Sequence, residues 1–299
     1  MTEQVEILNM DLRYESYRLK NQAAERVLLN SIAEKGIREP LQGVDTEGTR
    51  ILLNGFKRYR CAKKLGINIV PYMPLAVDTP LGIIELLRIS NTKSLSILEQ
   101  AKLIDDLKTV HHLTSKDIAN MLEKSKAWVS VRTGIIHEMS PTVTNHIFMG
   151  RFPAYAFMYI LRPFIRINKI DKSQIDEFVN LTAGQELSIR DIEMLAHTYF
   201  KGSDEIRKQI KDGNLSWVLT RLNQKSSSDK GCSQIENQML KELEILQKYM
   251  QRVMHKTNDV RYKTHSFFAQ ANLLIGGILM MLNGFEQRIK EFHDKTRQT

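Results

Sequence analysis

The chain has 299 residues, of which 42% are hydrophobic and 26% charged, a soluble balance with room for two or three domains. Its 43 Lys+Arg against 34 Asp+Glu leave a formal charge of +9, which favours a polyanionic partner, nucleic acid ahead of an anionic membrane surface. Cys61 and Cys232 lie far apart and outside any CxxC or Cys/His cluster, which argues against a zinc site or a disulfide scaffold. The start, Met1-Thr2-Glu3-Gln4, lacks the basic segment and apolar run of a secretory signal, so a cytoplasmic location is expected.

The first region, 1–93, mixes short strands with helices. Gln22 to Glu34 reads as a helix with Ala23, Val27, Leu28 and Ile32 on one face, stopped by Gly36 and followed by Pro40. Leu41 to Val44 and Arg50 to Leu53 read as strands around an Asp45-Thr46-Glu47-Gly48 turn. Gly55 then turns the chain into a helix, Phe56 to Leu65, whose first residues include the cations Lys57, Arg58 and Arg60. A helix macrodipole disfavours cations at that end, while free N–H groups there favour phosphate, so the pattern asks for a bound anion. A solvated basic helix face is the plainer alternative. A strand at Ile67 to Met73 and a helix from Pro80 to Ile89 complete a small α/β or α+β domain.

The second region, 94–222, is helical. Thr114 followed by Asp117 resembles a capping box, with Ile118, Ala119 and Leu122 on one apolar face. Ser125 can cap a second helix carrying Lys126, Ala127, Trp128, Ser130 and Arg132. Two short helices joined by a tight turn form a helix-turn-helix, whose second helix enters the major groove of DNA. The stretch from His111 to Ile170 holds eight Lys+Arg against three acids, which suits phosphate contact. Lys126, Ala127, Trp128 and Ser130 are the candidate groove-facing residues, with Lys124 and Arg132 nearer phosphate and Thr114 and Ser125 at the helix starts. Trp128 suits equally a packing role beneath the helix. A plain helical hairpin is the alternative to the whole reading.

The segment 223–233 is a polar, Ser-rich linker. From Met239 through Leu243, Leu246, Met250, Val253, Thr257, Val260, Thr264, Phe267, Ala271, Leu274, Ile278 and Met281 to Phe285, residues recur in steps of four and three, an a/d seam of more than six heptads. A seam of this length in 234–299 calls for a partner, most simply a second copy of the chain. The alternative is a helical hairpin broken near His255 to Asp259 or at Gly276-Gly277. Phe267 to Phe285 is nearly the length of a bilayer span, but Gln270, Asn272 and Asn283 interrupt it, so no membrane partner is expected.

Taken together, residues 5 to 160 resemble the ParB partition proteins, with their ParB-like nuclease (ParB/sulfiredoxin) N-domain followed by a helix-turn-helix. Leu29-Asn30-Ser31-Ile32, Gly36-Ile37 and Pro40-Leu41 resemble the family's first box. Gly55 to Ala62 is similar to its Gly-Glu-Arg-Arg-x-Arg-Ala box, and Ser90-Asn91-Thr92-Lys93-Ser94 stands at its Glu-Asn-x-x-Arg box. Ile97-Leu98-Glu99-Gln100-Ala101 is similar to the helix that leads into the helix-turn-helix. The resemblance implies a dimeric, site-specific protein of double-stranded DNA that acts as a CTP-switched clamp, associated with nucleoid or plasmid and served by a partition ATPase. It implies nucleotide contacts at Gly36, Pro40, Gly55, Lys57, Arg58, Arg60 and Asn91.

The departures fall on the acids. Phe56 replaces the carboxylate of the arginine box and Ser90 that of the third box, while Ser94 replaces its arginine. Mg²⁺ wants hard oxygen ligands, so its evident protein ligand is missing and an enzyme role as CTPase or nuclease is disfavoured. Either nucleotide binding persists through the cations, or the fold is kept without it. The reactive Cys of sulfiredoxin would align with Phe56, not Cys61, which reads as a packed small residue. The expected fold is α+β: a ParB/sulfiredoxin-like N-domain, an all-helical middle domain and a long C-terminal helix or coiled coil. The expected function is partition of a plasmid or mobile element, with a helix-turn-helix transcriptional regulator as the alternative.

Overall fold

The computed structural model describes residues 2–46, 48–90, 95–224, 233–257 and 259–296. The fold is α+β, with a five-stranded sheet at the N-terminal end and helices thereafter. The strands are β1 (Glu3–Glu6), β2 (Met10–Asp11), β3 (Leu41–Thr46), β4 (Thr49–Asn54) and β5 (Ile69–Ala76), in the order β1-β5-β3-β4-β2. β1 with β5 and β3 with β4 are antiparallel, whereas β3 with β5 and β4 with β2 are parallel. β1 and β2 were not foreseen from the sequence: they are four and two residues long, too short for alternation to show.

Helix α1 (Gln22–Lys35) begins at Asn21, whose side chain accepts from the Ala24 N–H at 2.9 Å, and ends at Gly36 with φ +69°. Its inner face carries Leu28 and Ile32, as expected, but Ala23 and Val27 point to solvent. Helix α2 (Phe56–Lys64) starts from Gly55, and α3 (Thr79–Ile89) is capped by Asp78. Gly82 lets α3 lie on the sheet, because a Cβ there would stand 2.3 Å from Val44 Cγ1.

The remaining helices are α4 (Ile97–Thr109), α5 (Ser115–Met121), α6 (Lys126–Glu138) and α7 (Pro141–Phe148). After them α8 (Ala154–Ala156) and α9 (Arg162–Arg166) flank a π-helical turn at Phe157–Leu161. Then come α10 (Lys172–Thr182), α11 (Ile189–Lys201), α12 (Asp204–Lys211) and α13 (Leu215–Gln224). The chain ends in α14 (Gln234–Thr257) and α15 (His265–Thr296).

Two cores result. One joins the sheet to Leu103, Ile104 and Leu107 of α4, Ile118 and Ala119 of α5, and Val129 of α6, so α5 and α6 share their interior with the sheet. The other fills the helices from Ile135 to Val218 and takes in Leu273 of α15.

The C-terminal region departs from a continuous coiled coil. The helix breaks after Thr257 and resumes at His265, the first of the two hairpin breakpoints, while Gly276-Gly277 lies inside α15. Seam residues Leu274 and Ile278 are 58% and 53% exposed, whereas Leu273 and Gly277, one position off the seam, and Ala269, between two seam positions, are buried. Helix α15 is also long and apolar enough to cross a membrane, with a mean hydropathy of 1.4 in its most apolar 18-residue window.

Candidate nucleic-acid interface

Helices α5 and α6 are built from their first residues. The Thr114 N–H donates to Asp117 Oδ2 at 3.2 Å and the Asp117 N–H returns a bond to Thr114 Oγ1 at 3.2 Å, a complete capping box to which the Thr114 hydroxyl adds a bond to Asp117 Oδ2 at 2.5 Å. The hydroxyl bond holds the exposed Asp117 carboxyl below its ordinary range. Ser125 Oγ accepts from the Trp128 N–H at 3.1 Å and starts α6. Glu123 between the helices has φ +55°, the left-handed residue that makes the turn tight.

Lys124, Lys126 and Ser130 are exposed, and Ala127 and Trp128 are half-buried. Arg132 is not on this open face. It is 7% exposed, donates from Nε to Gln100 Oε1 at 3.1 Å and lies 3.4 Å above the centre of the Trp128 ring. Burial pushes its pKa down to about 10. Arg132 therefore fastens α6 to α4 instead of reaching outward as its helical spacing suggested, with the ring of the half-buried Trp128 stacked on its guanidinium. Arg162 is likewise buried and paired with Glu138 at 2.5 Å, so two of the eight cations counted from the sequence do not face solvent.

The attachment of α4 rests on two acids that the sequence did not mark out. Glu99 accepts from Arg18 Nε at 3.1 Å, from the Leu19 N–H at 3.0 Å and from the Ser96 N–H at 2.8 Å. Asp106 accepts from the Tyr14 and Tyr17 hydroxyls at 2.9 and 2.7 Å. Burial and the adjacent carboxylate push both phenols well above their ordinary range. Position in an amphipathic helix gives no signal for such acids, since both look like solvent-facing residues until the partner segment is known.

The arginine box is held differently from the anion cradle foreseen for it. Gly55 takes φ +99°, and no side chain caps the start of α2. Arg58 Nη1 donates to the carbonyls of Glu39 and Pro40 at 2.7 and 2.8 Å and lies 3.4 Å from the Glu39 carboxylate. Arg60 donates to Glu25 Oε2 from Nε at 3.0 Å and from Nη2 at 2.8 Å, and to Glu15 from Nη1 at 2.6 Å. The anions that the cations call for are the protein's own. Lys57 is half-buried and makes no ion pair with the described residues.

Gly36 and Pro40 flank the Arg58-bound loop, and Asn91 lies outside the described residues. Phe56, at the position of the family's acid, is 3% exposed in the sheet core. These residues fit a triphosphate in part: Lys57 has no ion-pair partner among the described residues, whereas Gly55 is buried with its N–H donating to Asn54 Oδ1 at 2.9 Å, and Arg60 would first have to leave two carboxylates. Among the described residues no group of three or more His, Cys, Asp or Glu side chains is placed to hold a metal ion.

No family model matches the chain. The chain is 32% identical over 108 residues to the chromosome-partitioning protein ParB of Caulobacter vibrioides, covering 34% of this chain and 35% of that protein. It thus spans about a third of the length of that relative. Over this stretch the chain is ParB-like. Among solved structures, it is similar at 20% identity and a TM-score of 0.32 to C-terminally truncated ParB from Caulobacter crescentus complexed to the centromeric parS site, over 66% of this chain and 99% of that one. The same ParB complexed with CTP-gamma-S is similar at 22% identity and a TM-score of 0.26, over 56% of this chain and 89% of that one.

Proposed function

We propose that the chain is a ParB-type, site-specific binder of double-stranded DNA that serves partition of a plasmid or mobile element. The supporting observation is the first turn of α6. Lys126 and Ser130 are exposed there, Lys124 stands just ahead, and two side-chain caps with a core shared with the sheet hold the turn in place. A short capped helix with cations at its start is what major-groove reading needs. The 32% identity to a chromosome-partitioning protein supports the same reading. Selection from a random duplex library tests it: a preferred sequence at moderate salt is the expected result, and no preference over random DNA would end this reading.

The proposal extends to a homodimer formed through the exposed apolar faces of α14 and α15, where Met250, Val253, Ile278 and Leu279 are each about half exposed or more. Such a dimer would set two α6 helices on a roughly palindromic site. It extends also to CTP, with Lys57 and the uncapped start of α2 as the residues that would hold phosphate oxygens. The bound nucleotide would supply charge that orders the segment around it. A partition ATPase and a nucleoid or plasmid location belong to the same reading.

A further inference from the structure

Among the described residues helix α6 packs chiefly against three helices. α4 and α5 pack against it, and Val129, Arg132, Thr133 and Ile136 are buried along it. α15 lies along the side that holds Ala127, Ser130 and Gly134, closing a crevice of about 190 Å³ lined also by Arg166, Gln270 and Leu274. Of the four residues taken as groove-facing, Ala127 and Ser130 lie on that side, with Ser130 still exposed to solvent.

The contact on α15 is a stripe spaced by four, Ala269, Leu273 and Gly277, on a helix otherwise mostly exposed. The approach is close enough to require the glycine: a Cβ on Gly277 would stand 2.5 Å from the Tyr159 hydroxyl oxygen and 2.6 Å from two ring carbons. Tyr159 lies in the π-helical turn, with its ring centre 4.7 Å from that of Tyr155. Tyr155 donates its hydroxyl to Met281 Sδ at 2.8 Å, and Arg166 donates from Nη2 to Gln270 Oε1 at 3.1 Å.

We propose that α15 is an intramolecular cover of the recognition helix, and that α15 and double-stranded DNA compete for one face of α6. The proposal rests on the reading of α5 and α6 as the DNA reader. Size makes the two states exclusive: the major groove is about 12 Å wide, and one helix with its side chains already measures about 10–12 Å. The cover is built for release. It is held by one leucine at the edge of the second core, by small residues and by isolated polar bonds around a crevice. Departure of α15 releases Arg166, 46% exposed in the docked state, from Gln270, while its Nε stays 3.7 Å from Glu138 Oε1 and its other N–H groups turn to the uncovered face.

The test uses the full chain. Gly277→Leu drives a side chain into Tyr159, and Leu273→Asp puts a carboxylate in the apolar stripe. Hydrogen exchange over residues 265–281 reports docking, and affinity for a random-sequence duplex pool at about 50 mM salt reports DNA binding. Both variants are expected to raise exchange in α15 and to tighten DNA binding about tenfold, the gain when a competent state rises from a tenth of the population to nearly all of it. In the wild type, added DNA is expected to raise exchange in the same segment. Raised exchange in the variants with unchanged DNA affinity overturns the cover and leaves the DNA reading standing. Unchanged α15 exchange on DNA binding by the wild type overturns it as well, should neither variant fold. Absence of DNA binding in every form overturns the DNA reading and the cover with it.

Discussion

Arg60 and Glu25 form the joint between α2 and α1: two guanidinium N–H groups meet one carboxylate oxygen at 2.8 and 3.0 Å, with Lys64 on the other oxygen at 3.2 Å. The hydrogen bond from Arg60 holds the Glu25 carboxyl below its ordinary value of 4.5. A depressed carboxylate contributes stability above that ordinary value and loses it as the pH falls through the folded value. Glu25→Gln is expected to cost about 2 kcal/mol at neutral pH, the scale of a charged hydrogen bond. The difference from wild type should shrink below pH 4.5. Urea unfolding at pH 7 and at pH 3 measures both.

Asp106 ties the N-terminal segment to α4 through Tyr14 and Tyr17 while itself 4% exposed. Asp106→Ala takes the acceptor from the buried Tyr14 hydroxyl, which keeps His111 Nε2 at 3.3 Å, and from the half-buried Tyr17 hydroxyl, and should destabilise the fold by about 3 kcal/mol. Tyr17→Phe removes one bond and should cost about 1 kcal/mol. Equal losses in the two variants, read from denaturant midpoints at constant slope, would contradict this assignment.

If the arginine box takes CTP, the grip falls on the cation that the fold has left open. Lys57→Ala is expected to weaken CTP binding about tenfold without loss of stability, the effect of roughly 1.4 kcal/mol. Arg58→Ala should act first on the loop at Glu39 and Pro40, seen as a lowered melting temperature. Calorimetric titration of CTP with each variant separates the two, and full binding in Lys57→Ala would remove Lys57 from the site.

The sequence made some of this legible and hid the rest for identifiable reasons. Caps are local, so Thr114 with Asp117 and Ser125 could be read from four residues each, and the structure places them as expected. The cations of the arginine box were legible as a demand for anions, but not which anions, because Glu15 and Glu25 lie 45 and 35 residues away from Arg60. Arg132 sits at helical spacing from Trp128 and reads as an outward cation until Gln100 is found beneath it. The heptad seam is one of several apolar stripes on α15, and it is not the one packed within the chain. Apolar residues cover so much of α15 that several stripes satisfy a period near 3.6, and docking chose Ala269, Leu273 and Gly277, the stripe with two small residues.

The outer face of α15 carries Ile275, Ile278, Leu279 and Leu282, each 46% exposed or more, in a chain with no partner for them among its described residues. The dimer reading predicts a light-scattering mass near twice 34.6 kDa. Ile278→Glu and Leu279→Glu together should yield the monomer, because each places a carboxylate in an apolar contact. A wild-type monomer, or association with anionic lipid vesicles in its place, would move this face to another partner.

The salt dependence of DNA binding tests the central claim most directly. If α6 reads DNA, Lys124→Ala should weaken binding to the selected duplex and lower the slope of log K against log salt by about 1, the signature of one lost phosphate contact. Ser130→Ala should instead alter which sequence is preferred while leaving the slope unchanged. Wild-type slope and wild-type sequence preference in both variants would contradict the assignment of α6 as the DNA-reading helix.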